Sequence, residues 1–190
     1  MKIRKIGNAG LIDELHVTIR DKYGNIKKDY TVTKSLWYRI MKKLGIYHNS
    51  ITYVGMGIVA NLTCGVNTSV TFHYMDIGTG SNAANNAQTA LQTTLLSDPG
   101  RPNIDGANLT IVKTDASSTV NETCQWVWCF SKTNDAELTG TADVVKEVGI
   151  FSAATAGSML LRITWAGDTM NWAAGDTLTL TIKMQVKQGA

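Results

Sequence analysis

Residues 177–187 alternate apolar and polar side chains at every second position. This period of two places each set on one face of a β-strand and does not fit the 3.6-residue period of a helix. Similar segments recur near 70–77, 107–114, 119–131, 144–151 and 158–166. The chain therefore predicts several long antiparallel strands joined by turns. In the C-terminal strand the inward set is Leu178, Leu180, Ile182, Met184 and Val186.

The first 50 residues follow a different pattern. Residues 15–20 and 26–33 flank the turn sequence at 21–25, which predicts a β-hairpin. Residues 36–44 can form a short amphipathic helix, and a second short helix is predicted over 56–64.

These elements favour a mainly β fold: an antiparallel β-sandwich, jelly-roll-like, with an N-terminal hairpin and one or two short helices. We divide the chain into a basic arm, hairpin and helix over 1–50 and a β-sandwich body over 51–190. Residues 81–106 predict a long loop suited to contacts, with one helical turn around Leu91, Leu95 and Leu96.

Charge is distributed unevenly along the chain. Residues 1–50 carry 11 Lys and Arg against 4 Asp and Glu, whereas residues 51–190 carry 7 against 11. A basic front end on a mildly acidic body suits contacts between neighbouring protein subunits, although a solvated basic surface explains the same pattern. On the first interpretation the contact residues are Lys2, Arg4, Lys5, Lys42 and Lys43.

The three cysteines predict neither a disulfide within one strand nor a metal site. Cys124 and Cys129 lie five residues apart in one predicted strand, so they point to opposite faces. Their spacing matches no zinc pattern. Reduced, structural cysteines and no bound metal are expected. No secretory signal is recognised at the N-terminus and no membrane-spanning segment is predicted.

Two sets of residues could suggest catalysis, but neither lies in the structural context that the chemistry requires. Residues 55–60 fit G-x-G-x-x-A with Asp76 further on, but the downstream pattern is antiparallel β rather than the βαβ series of a dinucleotide site. His73 and Asp76 fall on opposite faces of one predicted strand, so they cannot act together. We expect no enzyme activity, no catalytic residue and no cofactor.

The polar faces of the predicted strands are rich in threonine rather than charge, which suits a protein packed among neighbours. Trp126 and Trp128 share one strand face and are interpreted as core or subunit packing. A stacking platform for single-stranded nucleic acid is the alternative, but it would need lysines near the tryptophans, and the lysines are concentrated in the front end. The segment 168–172 keeps a carbohydrate-binding module among the possible functions.

Four stretches in succession resemble a widespread group of tailed-bacteriophage virion proteins. They are the hairpin turn at 21–25, the strand end Gly78-Thr79-Gly80, the pair of strand motifs at 145–151 and 159–164, and the closing segment 173–180. The resemblance extends over roughly residues 15–187, and the predicted helix at 36–44 departs from it.

The resemblance implies a non-enzymatic structural protein of the phage particle, made in the host cytoplasm and located in the virion. A capsid decoration (cement) protein on the outer capsid surface is the first expectation, with a tail, collar or fibre-attachment protein as the alternative. The implied partners are the major capsid protein or other virion proteins and further copies of this chain, with a trimer expected. Neither a membrane nor nucleic acid is expected as a partner.

One pair of motif residues also has a physical explanation. Glu147 and Arg162 lie in successive predicted strands, so they can form an ion pair across a hairpin.

Overall fold

The computed structural model describes residues 10–32, 49–63, 65, 70–96, 100–112 and 123–187. Within these residues the chain forms strands, one α-helix and two short 3-10 turns. The elements are β1 (Gly10–Arg20), β2 (Ile26–Thr31), β3 (Asn49–Ile51), α1 (Tyr53–Thr63), β4 (Tyr74–Gly78), β5 (Leu109–Val112), β6 (Thr123–Phe130), β7 (Asp143–Phe151), β8 (Met159–Met170) and β9 (Thr177–Lys187), with the 3-10 turns at Gly106–Asn108 and Trp172–Ala174.

The strands form two antiparallel sheets. The first sheet has the order β2-β1-β9-β6-β5 and the second has the order β3-β8-β7-β4. β9 lies in the middle of the first sheet, between β1 and β6. The predicted mainly β, antiparallel sandwich is confirmed, and the jelly-roll connectivity stays a prediction.

One hydrophobic core joins the inner faces of the two sheets. Leu178, Leu180 and Ile182 of β9 are fully buried, as the alternating pattern predicts. Val148 and Ile150 of β7 supply the facing side chains of the second sheet. Burial of this apolar area drives the two sheets together.

The N-terminal hairpin is continuous with the first sheet. β1 pairs with β2 on one side and with the whole length of β9 on the other, from Arg20–Thr177 to Gly10–Lys187. The hairpin is therefore part of the sandwich.

The predicted second helix is present as α1. It begins at Tyr53 rather than at residue 56, because Thr52 caps it: the Thr52 hydroxyl accepts a hydrogen bond from Gly55 N at 2.9 Å. α1 lies against β8, and a Cβ atom at Gly55 would fall 2.5 Å from the carbonyl oxygen of Leu160. The predicted helix at 36–44 lies outside the described residues.

The predicted helical turn around Leu91, Leu95 and Leu96 is wrong. Between residues 91 and 96 the chain has bends and no helical turn, and it runs along the edge strand β4, where Thr94 forms a bridge with Gly78. Leu95 N donates to Ile77 O at 2.9 Å. The backbone groups of an edge strand need partners, and this requirement outweighs the local helical spacing of the leucines.

Candidate interaction surfaces

The outer face of the second sheet is covered by the chain itself. Residues 159–165 of β8 are buried on both faces of the strand. α1 lies over one part of this face, and the loop that follows β4 lies over another, with Leu91 close to Gly149. Around residues 159–165 this face is therefore withdrawn from external contacts, whereas Thr169, further along β8, is exposed.

The structure brings together Glu147 and Arg162 beneath that loop. Arg162 Nε donates to Glu147 Oε2 at 2.7 Å, and both side chains are completely buried. Glu147 is opposite Thr164 and Arg162 is opposite Gly149, so the ion pair is diagonal across the β7–β8 ladder. Such diagonal neighbours lie within reach of long side chains.

Both partners of this ion pair also hold the loop. Glu147 accepts hydrogen bonds from the backbone N–H groups of Gly80 at 3.0 Å, Gln92 at 3.0 Å and Thr93 at 2.9 Å. Arg162 Nη1 donates to Asn82 O at 3.0 Å and to the Gln88 side-chain oxygen at 3.0 Å. The pair therefore clamps the loop to the sheet, and we call it the Glu147–Arg162 clamp.

A second ion pair lies at the β4 edge between the partly buried Arg101 and the buried Asp76, and no sequence pattern indicated it. Arg101 Nε donates to Asp76 Oδ2 at 3.0 Å, and the Arg101 guanidinium stacks 3.7 Å from the Phe151 ring centroid. Burial raises the pKa of Asp76, while hydrogen bonds from Thr94 and Arg101 oppose that change. Arg101 lies in an irregular loop, 25 residues from its partner, so no periodic pattern could pair them.

A third cluster joins the edges of the two sheets. Asp168 of β8 is buried and accepts hydrogen bonds from Lys28 Nζ at 2.6 Å, from the Tyr30 hydroxyl and from Trp165 Nε1 at 3.1 Å. Burial is the largest of the causes that raise the pKa of Tyr30 above its usual range, and the hydrogen bond to Asp168 acts in the same direction. The cluster fastens β2 to β8.

Three of the four described tryptophans are buried, and the fourth, Trp128, is half-buried. Trp126, Trp165 and Trp172 are buried, and Trp128 packs against the core. The core-packing interpretation of Trp126 and Trp128 is confirmed. Because Asp168 and Trp172 are also buried, the segment 168–172 presents no exposed aromatic ring for a sugar.

The outer face of the first sheet has a neutral centre. Cross-strand pairing aligns Thr18 with Thr179 and then Cys129, and the neighbouring row aligns Thr181 with Val127. On the same face Glu14 and Lys183 lie toward one end of the sheet, His16 is opposite Thr181, and Asp29 on β2 accepts a hydrogen bond from the Thr18 hydroxyl at 2.7 Å. We call the five central residues the threonine face.

Exposed apolar side chains are concentrated at two further places. The hairpin tip, residues 20–26, carries Tyr23 at 77% exposure and Ile26 at 54%. The start of α1 carries Tyr53 at 63% together with Val54 and Met56. An exposed aromatic residue in a turn rich in Gly, Asn and Asp is the sequence signal that could have indicated the first place.

The predicted contact residues Lys2, Arg4, Lys5, Lys42 and Lys43 lie outside the described residues, as does Cys64. Cys124 and Cys129 are free thiols, and burial raises the pKa of Cys124 to about 11. Over the described ranges, no group of three His, Cys, Asp or Glu side chains is arranged to hold a metal ion. No helix in the described part of the chain is long and apolar enough to cross a membrane.

Comparison with known proteins finds no matching family model, no matching curated protein and no matching solved structure.

Proposed function

We propose that this chain is a non-enzymatic structural protein of a bacteriophage particle, bound as a decoration protein to the outer capsid surface. Its partners are then the major capsid protein and further copies of itself, and its location is the virion. The alternative position within the same class is the tail, collar or a fibre attachment.

The threonine face is the observation that carries this proposal. Protein interfaces are depleted of charged residues at their centre and polar at their rim. The threonine face follows this arrangement, because Thr18, Thr179 and Thr181 occupy the centre and the charged residues Glu14, Lys183 and Asp29 lie around it. Neutral hydroxyl groups lose less free energy on desolvation than ions do, so this face can be buried at low cost.

The buried ionisable groups support the same role. The Glu147–Arg162 clamp, the Asp76–Arg101 pair and the Lys28–Asp168 contact each tie a loop or an edge strand to a sheet. These contacts favour a body that presents one fixed surface to a partner. Many copies bound to one particle need only modest affinity each, because the contacts act together.

A charge placed at the centre of the threonine face tests the proposal. Thr179→Lys should fold normally but lose binding to the parent capsid, because an unpaired ammonium group would be desolvated in the contact. Thr169→Lys is the matched control, since Thr169 is an exposed threonine on the other sheet. If Thr179→Lys decorates particles as well as the parent protein does, the threonine face is not the contact.

Copy number in purified particles distinguishes the two positions in the virion. Decoration requires hundreds of copies per particle, whereas a closed ring in the tail or collar requires about six, twelve or eighteen. Absence of the chain from purified particles would overturn the proposal.

A further inference from the structure

Several hydrogen bonds hold the turn of the hairpin tip. The Asp21 carboxylate accepts hydrogen bonds from Tyr23 N at 2.8 Å and Asn25 N at 2.9 Å, and the bond from the Asn25 side chain lowers the pKa of Asp21. Gly24 adopts φ +84°, and its carbonyl accepts from Arg20 Nη1 at 2.9 Å. A fixed turn loses little conformational entropy when it docks.

The tip combines aromatic surface with positive charge. Lys22 Nζ lies 4.9 Å from the Tyr23 ring centroid, and both residues are exposed. Lys27 is tied back to Asp176 at 2.8 Å, which fixes the base of the hairpin. Tyrosine and arginine are enriched among the anchor residues of protein interfaces, and the tip contains both Tyr23 and Arg20.

The same chain contains a cleft with an apolar wall and negative charge, which complement the aromatic ring and the positive charge of the tip. It has a volume of about 330 Å³, at the small end of the range for pockets that bind molecules. Asp135 and Glu137 provide negative charge, and burial raises the pKa of Asp135 to about 6. The remaining wall is largely apolar, and the lining residues are Leu96, Gly100, Pro102, Trp128, Asn134, Asp135, Ala136 and Glu137.

We propose that the hairpin tip of one copy docks in this cleft of a second copy, with Tyr23 against Trp128 and Lys22 near the carboxylates of Asp135 and Glu137. The volume suits one aromatic side chain, and the charges of the two surfaces are opposite. This inference goes beyond the proposed function and does not depend on it.

The topology places the two surfaces on opposite sides of the central strand. The tip follows β1, whose Arg20 pairs with Thr177 of β9, and the cleft loop follows β6, whose Phe130 pairs with Leu178. Within one copy Tyr23 remains exposed and separate from the cleft. Each copy therefore offers one tip and one cleft, which allows a closed assembly of two or more copies.

Sedimentation velocity on the purified full chain, from micromolar to about 1 mM, tests the contact in the range where weak interfaces dissociate. The wild type should self-associate. Tyr23→Ala should weaken association at least tenfold, because truncation of an anchor residue has effects of this size. Tyr53→Ala is the matched control, since Tyr53 is an equally bulky and exposed tyrosine on α1, and it should associate like the wild type.

The cleft is tested by Ala136→Trp, which fills it from an exposed position. Ala136→Trp should weaken self-association as much as Tyr23→Ala does. An equimolar mixture of the two variants should form heterodimers joined by one contact, because Ala136→Trp retains an intact tip and Tyr23→Ala retains an intact cleft. If thermal unfolding shows that Ala136→Trp is misfolded, Glu137→Lys replaces it as the cleft variant.

A monomeric wild type at the highest concentration would overturn the inference. So would self-association that either variant leaves unchanged, or a mixture that fails to associate. These outcomes concern the isolated protein, so they leave the threonine face and the particle role to their own tests.

Discussion

Removing the negative charge of Glu147 should destabilise the protein strongly. Glu147→Gln keeps the shape of the side chain but replaces one carboxylate oxygen with an NH2 group. If that group takes the place of Oε2, it faces two donors, Gln92 N and Arg162 Nε. Arg162 is completely buried, so the substitution leaves its charge without a counterion.

Breaking one side of a buried ion pair costs about 3–5 kcal/mol in free energy of unfolding. The total free energy of unfolding of a domain is about 5–15 kcal/mol, so this loss is a large fraction of it. For a chain of this size each kcal/mol shifts Tm by roughly 2–4 °C, so Tm should fall by about 6–20 °C. Urea unfolding followed by tryptophan fluorescence measures the same loss, because the described tryptophans are buried or packed against the core.

The clamp also predicts a local effect. Hydrogen exchange at Gln92 N should accelerate more than exchange at Leu180 N, which lies in the central strand and reports global unfolding. Asp105→Asn is the matched control, because Asp105 is exposed and its side chain does not cap the following turn. A loss below about 1 kcal/mol in Glu147→Gln, with loop exchange unchanged, would refute the clamp, because exposed pairs contribute no more than that.

Three further predictions test other parts of the fold. Burial raises the pKa of Asp135 to about 6, so ionisation of this carboxyl opposes folding, and the free energy of unfolding should fall as pH rises from about 4 to above 6. Asp135→Asn should remove this contribution of Asp135. In thermal melts the variant should be more stable than the wild type at pH 8 but not at pH 4. Gly55→Ala should lower the free energy of unfolding by about 1–3 kcal/mol in urea, because α1 must move away from β8. Gly57→Ala has open space around it and should raise the free energy of unfolding by roughly 0.5–1 kcal/mol. Equal effects of the two substitutions would contradict the packing of α1. Tyr30→Phe removes a hydrogen bond to the buried Asp168 carboxylate and should cost about 1.5–3 kcal/mol, and a neutral result in the same assay would show that the sheet edges are not joined there.

The sequence predicted those features that depend on local periodicity. The alternation at 177–187 identifies a strand and its buried face, and the turn at 21–25 identifies the hairpin. The proximity of Glu147 and Arg162 followed from two neighbouring strands with a short connection. In each case the relevant residues are close in sequence or lie on elements that are adjacent in the chain.

Features that depend on distant segments were not predictable in this way. The course of residues 93–95 along β4 is determined by the open edge of that strand, and the Lys28–Asp168 contact joins residues 140 positions apart. The cleft likewise requires two loops that meet only after the sheets pack. Tertiary contacts decide such features, and local propensity does not report them.

The position of β9 has a consequence for how the protein is made. β9 follows every other described strand in the chain, yet it lies between the β1–β2 hairpin and the β5–β6 pair. Until the ribosome has delivered residues 177–187, β1 and β6 each lack a neighbour on one side and expose apolar side chains. The first sheet should therefore close only after translation of this segment, and nascent chains that stop before it should be substrates for chaperones and proteases.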